Sequence, residues 1–241
     1  MDGGYSMIST GSHAMESKPK ADRKLDNSII DFGKLRAATL NEHPFSYLIG
    51  HNTIKPEWEN RLISDFPRLH KAGSYPLSSV EVGTDFRGLI QEMSSPEFRE
   101  VVEEKFSLNL RDRPTIFTVR GRCRLADGKI HTDTASKIIT VLLYMNPKWA
   151  DEGGKLRILN GGTDINDFAA EVQPTIGTLL IFKRCDYSFH GHLPFEGARK
   201  VIQMNWVTEQ RFVDREAKRH RWSALIKGLP SLWQSVANPS R

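Results

Sequence analysis

His131-Thr132-Asp133 sets an imidazole and a carboxylate two residues apart. On an extended segment, residues i and i+2 share a face, so the two side chains converge without special backbone geometry. Alone, the tripeptide is a weak signal, because such pairs arise often by chance. A second imidazole stands in a later run, Phe189-His190-Gly191-His192-Leu193-Pro194. Two imidazoles and a carboxylate on one side of a metal leave the opposite coordination positions open, as a non-haem Fe(II) site that must bind a co-substrate and O₂ together requires. Structural zinc would want four ligands, usually with cysteine among them. Here Cys123 and Cys185 stand alone, with no CxxC pair. Arg199 follows His190 on the last β-rich run and offers a guanidinium fork, which matches a carboxylate bidentately. Tyr144, on the run after the HxD, places a hydroxyl that can donate to the same carboxylate. Taken singly, a histidine or tyrosine on a strand is more often a packed, hydrogen-bonded residue than a ligand. It is the five together, in order and on strands, that point to a site.

The elements that must position these residues change in texture along the chain. After Pro114, short β-rich runs are separated by Gly, Asp, Asn and Pro: Thr115–Arg120, Lys137–Asn146, Lys155–Leu159, Thr178–Arg184, Ser188–Leu193 and Arg199–Thr208. With no helical pattern between them, these runs predict an antiparallel sandwich or barrel. Ile138–Leu143 and Leu179–Phe182 are apolar on both parities, as central strands covered on both faces would be. The cover comes from the N-terminal third, where helical stripes follow Pro56 (Trp58, Leu62, Ile63), Thr84 as a cap (Phe86, Leu89, Ile90) and Ser95-Pro96 (Phe98, Val101, Val102, Phe106). These stripes are read as core packing. Glu209 to Lys227 reads as a basic helix with Gly228 as its stop.

The expected organisation is therefore a mainly β chain with α-helices. Residues 1–25 are small, polar and charged, and are expected to be a disordered tail, partly vector-derived around Gly11-Ser12-His13. Residues 26–241 form one domain: a helical support region at 26–110, the β core at 111–210, and a C-terminal helix and tail at 211–241. The formal charge of +5 and pI near 9.2 owe much to the run from Arg211 to Lys227. A local basic helix is a weaker nucleic-acid signal than a basic face across a domain, so no nucleic-acid partner is expected. No apolar stretch approaches the roughly 18 residues of a membrane span. The two lone cysteines fit a reducing compartment, and a cytoplasmic location is expected.

The assembled motifs resemble the Fe(II)/2-oxoglutarate-dependent oxygenase superfamily, in its prolyl-4-hydroxylase-like branch. The resemblance runs through HTDT at His131–Thr134, VLLYMNPKW at Val141–Trp149, GGKLRIL at Gly153–Leu159, GTLLIF at Gly177–Phe182, FHGHLP at Phe189–Pro194 and GARKVIQMNW at Gly197–Trp206, with HPFSYLIGHNTIKPEWENRLISDFP at His43–Pro67 upstream. It implies a double-stranded β-helix (jelly roll) core with the N-terminal helices packed on it. It further implies His131, Asp133 and His190 as iron ligands, and Arg199 on the distal carboxylate of 2-oxoglutarate with Tyr144 assisting. The cofactors implied are Fe(II), 2-oxoglutarate as co-substrate and O₂, with ascorbate as a reductant. The implied reaction hydroxylates an unactivated C–H and releases succinate and CO₂. His190 and His192 share strand parity and both could face the iron. The intervals to Pro194 and Arg199 that are usual in the family favour His190, leaving His192 toward the substrate.

The substrate is expected to be a small molecule, an amino acid or a side chain of a peptide or protein, selected by the loops at Asn160–Gln173 and Asp186–Phe189. Asp164, Asp167 and Glu171 suggest a cationic substrate, although a solvated loop explains them equally well. Lys137 and Arg122 flank the pocket mouth, where either could contact substrate, and solvated roles are favoured for both. Three competing functions are weighed. A nucleic-acid demethylase of the same superfamily would carry a second Arg where Asn205 stands. A cupin-like metal protein independent of 2-oxoglutarate would leave Arg199 and Tyr144 without a purpose. A non-catalytic module would have lost a ligand.

Overall fold

The computed structural model describes Met1 and residues 27–214. The expected tail at 1–25 and most of the expected C-terminal helix fall outside the described residues. Of that helix only an opening turn, residues 210–214, is described.

The described chain begins with α1 (Phe32–Ala37), β1 (Leu40–Asn41), β2 (Tyr47–Gly50), α2 (Pro56–Asp65), β3 (Tyr75–Pro76), α3 (Thr84–Met93) and α4 (Pro96–Phe106). Seven strands follow: β4 (Thr115–Cys123), β5 (Lys137–Tyr144), β6 (Leu156–Leu159), β7 (Phe168–Val172), β8 (Leu179–Lys183), β9 (His190–His192) and β10 (Gly197–Val207). Among the described residues they make a large sheet in the order β1-β2-β8-β5-β10-β4-β3 and a small one in the order β7-β6-β9. All strand pairings are antiparallel. From β4 to β10 the chain crosses repeatedly between the sheets, with β4, β5, β8 and β10 in the large one and β6, β7 and β9 in the small one, and the backbone at His131 bridges to His190 on the small sheet's edge. This is the crossing pattern of a jelly roll.

The both-parity apolar runs are accounted for by two cores. Ile139, Val141 and Leu143 of β5, Leu179 and Ile181 of β8, and Ile202, Met204 and Trp206 of β10 face the helices. There Phe86, Leu89 and Met93 of α3 and Phe98, Val101, Val102 and Phe106 of α4 cover them, with Phe98 stacked on Trp206 at 6.3 Å between ring centroids. The opposite parity, Leu142 and Tyr144, Leu180 and Phe182, and Val201, meets Leu156, Ile158 and Val172 between the sheets. Fully burying each such aliphatic or aromatic side chain contributes about 1.5–3 kcal/mol.

Four expectations are corrected. The support region is not wholly helical: β1 and β2 extend the large sheet past β8, and β3 extends it past β4. Loop 160–173 contains β7, whose outer residues Phe168 and Ala169 are exposed, so no apolar alternation marks it. Thr84 is the first helical residue of α3 and not its cap, because the Asp65 carboxylate accepts from the Asp85 and Phe86 amides at 2.8 and 3.4 Å. Strands β5, β6, β8 and β9 are shorter than their sequence runs, β4 runs on to Cys123, and β10 starts earlier, at Gly197, and ends at Val207. By contrast, Pro56 opens α2, and the Ser95 hydroxyl caps α4 by accepting from the Phe98 amide at 3.1 Å.

Candidate metal and co-substrate site

The two sheets diverge around a cavity of about 200 Å³ lined by side chains of β4, β5, β6, β9 and β10 and the 128–133 segment. Register places the lining of the large sheet in rows. Arg120 of β4 lies opposite Val201 of β10, which lies opposite Tyr144 of β5. Two residues along, Thr118, Gln203 and Leu142 form the next row, and beyond it Ile116, Asn205 and Thr140.

At the Thr140 end, one ligand atom from each of His131, Asp133 and His190 lies within 4.8 Å of the others. His131 and His190 are cross-strand neighbours, their backbones joined by amide-to-carbonyl bonds in both directions, and their ring centroids are 4.3 Å apart. Each ring places Nδ1 on a backbone carbonyl, His131 on Lys129 at 2.8 Å and His190 on Ser188 at 2.9 Å. A carbonyl can only accept, so Nδ1 carries the hydrogen and Nε2 keeps its lone pair for a metal. His190 is buried against Phe182. That burial, with the nearby His131 and Lys137 charges, pushes its pKa from 6.5 down to about 4, with the Asp133 charge and the Ser188 bond opposing. The imidazole is therefore neutral at ordinary pH, as coordination demands.

Asp133 is nearly buried, and burial alone would raise its pKa. The Lys137 ammonium, the His190 charge and two side-chain hydrogen bonds outweigh that and hold it below the usual carboxylate range. Lys137 Nζ donates to Oδ1 at 2.7 Å and Thr140 Oγ1 to Oδ2 at 2.5 Å. Thr140 in turn accepts from Asn205 Nδ2 at 2.8 Å, and Asn205 Oδ1 accepts from Gln203 Nε2 at 3.0 Å. A chain of side chains from β10 through β5 thus orients the carboxylate. Lys137 is an ion-pair partner and not a solvated residue. Arg122 is exposed. Of this chain, Gln203 and Asn205 share strand parity with each other on β10, which sets both toward the same face. Thr140 was not singled out, although it lies seven residues past Asp133 and shares its parity with Tyr144.

At the other end sits Arg199. An extra residue in β10 between Ala198 and Val201 breaks the register with β4. Asn146 ties down the loosened backbone, accepting from the Lys200 amide at 2.8 Å and donating to its carbonyl at 3.2 Å. Bulges of this kind re-aim side chains beside active sites. The Arg199 guanidinium donates to the Gly154 carbonyl at 2.7 Å and to the Tyr144 hydroxyl at 3.2 Å. It is 5% exposed, and among the described residues no carboxylate lies within ion-pairing distance of it. A buried cation without an anion is costly, so this end of the cavity is built to receive one. Burial raises the pKa of Tyr144, which keeps its hydroxyl protonated and able to donate.

His192 lines the cavity on the Arg199 side and is not part of the three-ligand cluster. Its ring lies against Gly128, and its Nδ1 bonds the Leu193 carbonyl at 2.8 Å. Burial, then the Arg199 charge, pushes its pKa down to about 4. The acidic loop residues are engaged locally: Glu171 pairs with Arg157 at 2.7 Å, and at the surface Asp164 accepts from the Asn166 amide at 2.8 Å and Asp167 from Asn160 at 2.7 Å. They form no anionic wall toward the cavity.

Residues 123–208 match the family model of the 2OG-Fe(II) oxygenase superfamily. A comparison with curated protein sequences finds no match. Among solved structures, a prolyl-4-hydroxylase from Pseudomonas putida is similar over 68% of this chain and 92% of its own, at 15% identity and a TM-score of 0.48. HygX from Streptomyces hygroscopicus, solved with nickel and 2-oxoglutarate bound, is similar over 68% and 82%, at 12% identity and 0.47. The viral collagen prolyl hydroxylase of Paramecium Bursaria Chlorella virus-1 is similar over 67% and 94%, at 14% identity and 0.46. The matched segment holds the His-Asp-His cluster, the buried Arg199 and most of the jelly roll, and over it the chain is similar to the 2OG-Fe(II) oxygenase superfamily.

Proposed function

We propose that His131, Asp133 and His190 hold Fe(II), that Arg199 and Tyr144 hold the distal carboxylate of 2-oxoglutarate, and that the protein hydroxylates an unactivated C–H of a small-molecule, amino-acid or peptide substrate. The observation that carries this reading is the buried Arg199 guanidinium, paired with no carboxylate among the described residues and bonded to Tyr144, in the same cavity as a two-histidine, one-carboxylate cluster. The donor set leaves coordination positions open for a chelating co-substrate and O₂. Bound there, iron with 2-oxoglutarate and O₂ supplies the oxidising chemistry, with release of succinate and CO₂.

The chain's own residues position and exclude. Backbone carbonyls at 129 and 188 fix the histidine tautomers, and the Gln203–Asn205–Thr140 chain sets the Asp133 carboxylate. Tyr144 and Arg199 bind and orient the far end of the co-substrate. Leu142, Leu156 and Val201 line the space between with apolar surface, which keeps water from the reacting centre. A metal protein needing no 2-oxoglutarate would have no use for Arg199 in its present setting. The same reading takes residues 26–241 as one oxygenase domain and, because both described cysteines are free, places it in the reducing cytoplasm, with ascorbate as a reductant. The test is succinate release from 2-oxoglutarate by Fe(II)-loaded protein across amino acids, peptides and small metabolites. Asp133→Ala is expected to abolish any substrate-stimulated release, and wild-type-like turnover in that variant would refute the ligand set.

A further inference from the structure

Three cationic side chains line the cavity, Arg120, Lys137 and Arg199, against a single lining carboxylate, Asp133. Arg120 is matched by Asp127, Nη1 to Oδ2 at 3.1 Å. In the reading above, Arg199 is matched by the distal carboxylate of the co-substrate, and the two charges of Fe(II) are matched by its 1-carboxylate and by Asp133. Asp133 is then shared between the metal and Lys137. One positive charge is left over, and it sits on Lys137, whose ion pair among the described residues is to Asp133 alone. Lys137 opens β5, its side chain 19% exposed. It therefore borders both the metal cluster and the solvent through which a substrate must come.

Among the described residues, the acidic groups nearby already have cationic partners. Asp127 is held by Arg120 and Arg124, and Glu171 by Lys155 and Arg157. Asp186 is paired with Arg184 at 2.8 Å. We propose that the substrate presents an anionic group, a carboxylate in the first instance, to the Lys137 ammonium, so that Lys137 is a specificity-determining residue. This rests on the functional reading above, and it replaces the cationic substrate that the acidic loop residues had suggested.

The test uses full-length protein loaded with Mn(II) and 2-oxoglutarate, with their binding to wild type, Lys137→Gln and Lys137→Arg measured first. Each is then titrated calorimetrically with matched pairs of N-acetyl-L-amino acids and their amides. In the wild type at least one acid is expected to bind about tenfold or more tightly than its amide, the scale of one charge-assisted hydrogen bond. Lys137→Arg is expected to keep that preference. Lys137→Gln, which retains a donor for Asp133 without the charge, is expected to lose it. If no acid outbinds its amide, or if Lys137→Gln keeps the preference while still binding Mn(II) and 2-oxoglutarate, the proposal is overturned and the functional reading stands. If wild type binds no 2-oxoglutarate, both fall.

Discussion

Arg199 Nη2 donates to the Tyr144 hydroxyl at 3.2 Å, and both side chains are buried in the space between the two sheets. In the proposed function that pair binds an anion, the distal carboxylate of 2-oxoglutarate, at one end of the cavity. Arg199→Ala is expected to weaken 2-oxoglutarate binding by roughly 10- to 100-fold, the scale of a lost hydrogen bond to a charged group. Tyr144→Phe removes a neutral donor and should cost about tenfold or less. Calorimetric titration of Mn(II)-loaded protein with 2-oxoglutarate measures both. Unchanged affinity in Arg199→Ala would refute the anchoring role.

Gly154 supports the same arginine from outside the cavity. Its φ is +76°, and a Cβ there would stand 2.7 Å from the Trp149 ring and about 3 Å from Phe195. Gly154→Ala therefore carries about 1–2 kcal/mol of left-handed strain, and it pushes on the two rings beside the carbonyl that Arg199 uses. The expected result is a lowered unfolding midpoint together with weaker 2-oxoglutarate binding. A drop in stability alone, with binding intact, would show that the carbonyl does not position Arg199.

The Gln203–Asn205–Thr140–Asp133 chain predicts metal effects from residues that touch no metal. Asn205→Ala and Thr140→Val are expected to lower Mn(II) affinity by about 10- to 100-fold, as removal of the groups behind metal ligands generally does. Equilibrium dialysis or Mn(II) paramagnetic resonance reads this directly. The double variant should lose less than the product of the single effects, because Asn205 acts through Thr140.

Stability of metal-stripped protein should depend on pH through the buried histidines. His190 and His192 have pKa values lowered to about 4, against 6.5 unperturbed. Between these values the unfolded chain binds more protons than the folded one, so stability rises with pH. The contribution is full above pH 6.5 and lost as pH falls toward 4. Chemical denaturation at pH 7.5, 6, 5 and 4.5 should show this decline, and His192→Asn should make it shallower. A flat profile across that window would contradict the burial of both rings in neutral form.

Much of this was legible because strand parity is a strict rule. His131 with Asp133, and Gln203 with Asn205, declared their shared faces two residues at a time. The both-parity runs of β5 and β8 declared a sheet covered on each side. Elements that parity does not mark were lost. β7 carries exposed Phe168 and Ala169, and β1 and β3 are two residues each, too short for any period to register. Lys137 was read as solvated because lysine on a strand end usually is, and its pairing with Asp133 depends on a turn between them that brings residue i+4 back onto residue i. The choice of His190 over His192 rested on intervals along the chain. In three dimensions the cross-strand bridge puts His190 beside His131, and His192 two residues nearer Arg199.

The most direct measurement is optical. Protein purified anaerobically and loaded with Fe(II) is titrated with 2-oxoglutarate while the visible spectrum is followed. A weak absorption band is expected to appear only when 2-oxoglutarate is added, to require a much higher concentration in Arg199→Ala, and to be missing in Asp133→Ala. No band in the wild type, or an undiminished band in Asp133→Ala, would contradict an iron site built on His131, Asp133 and His190 with Arg199 holding its co-substrate.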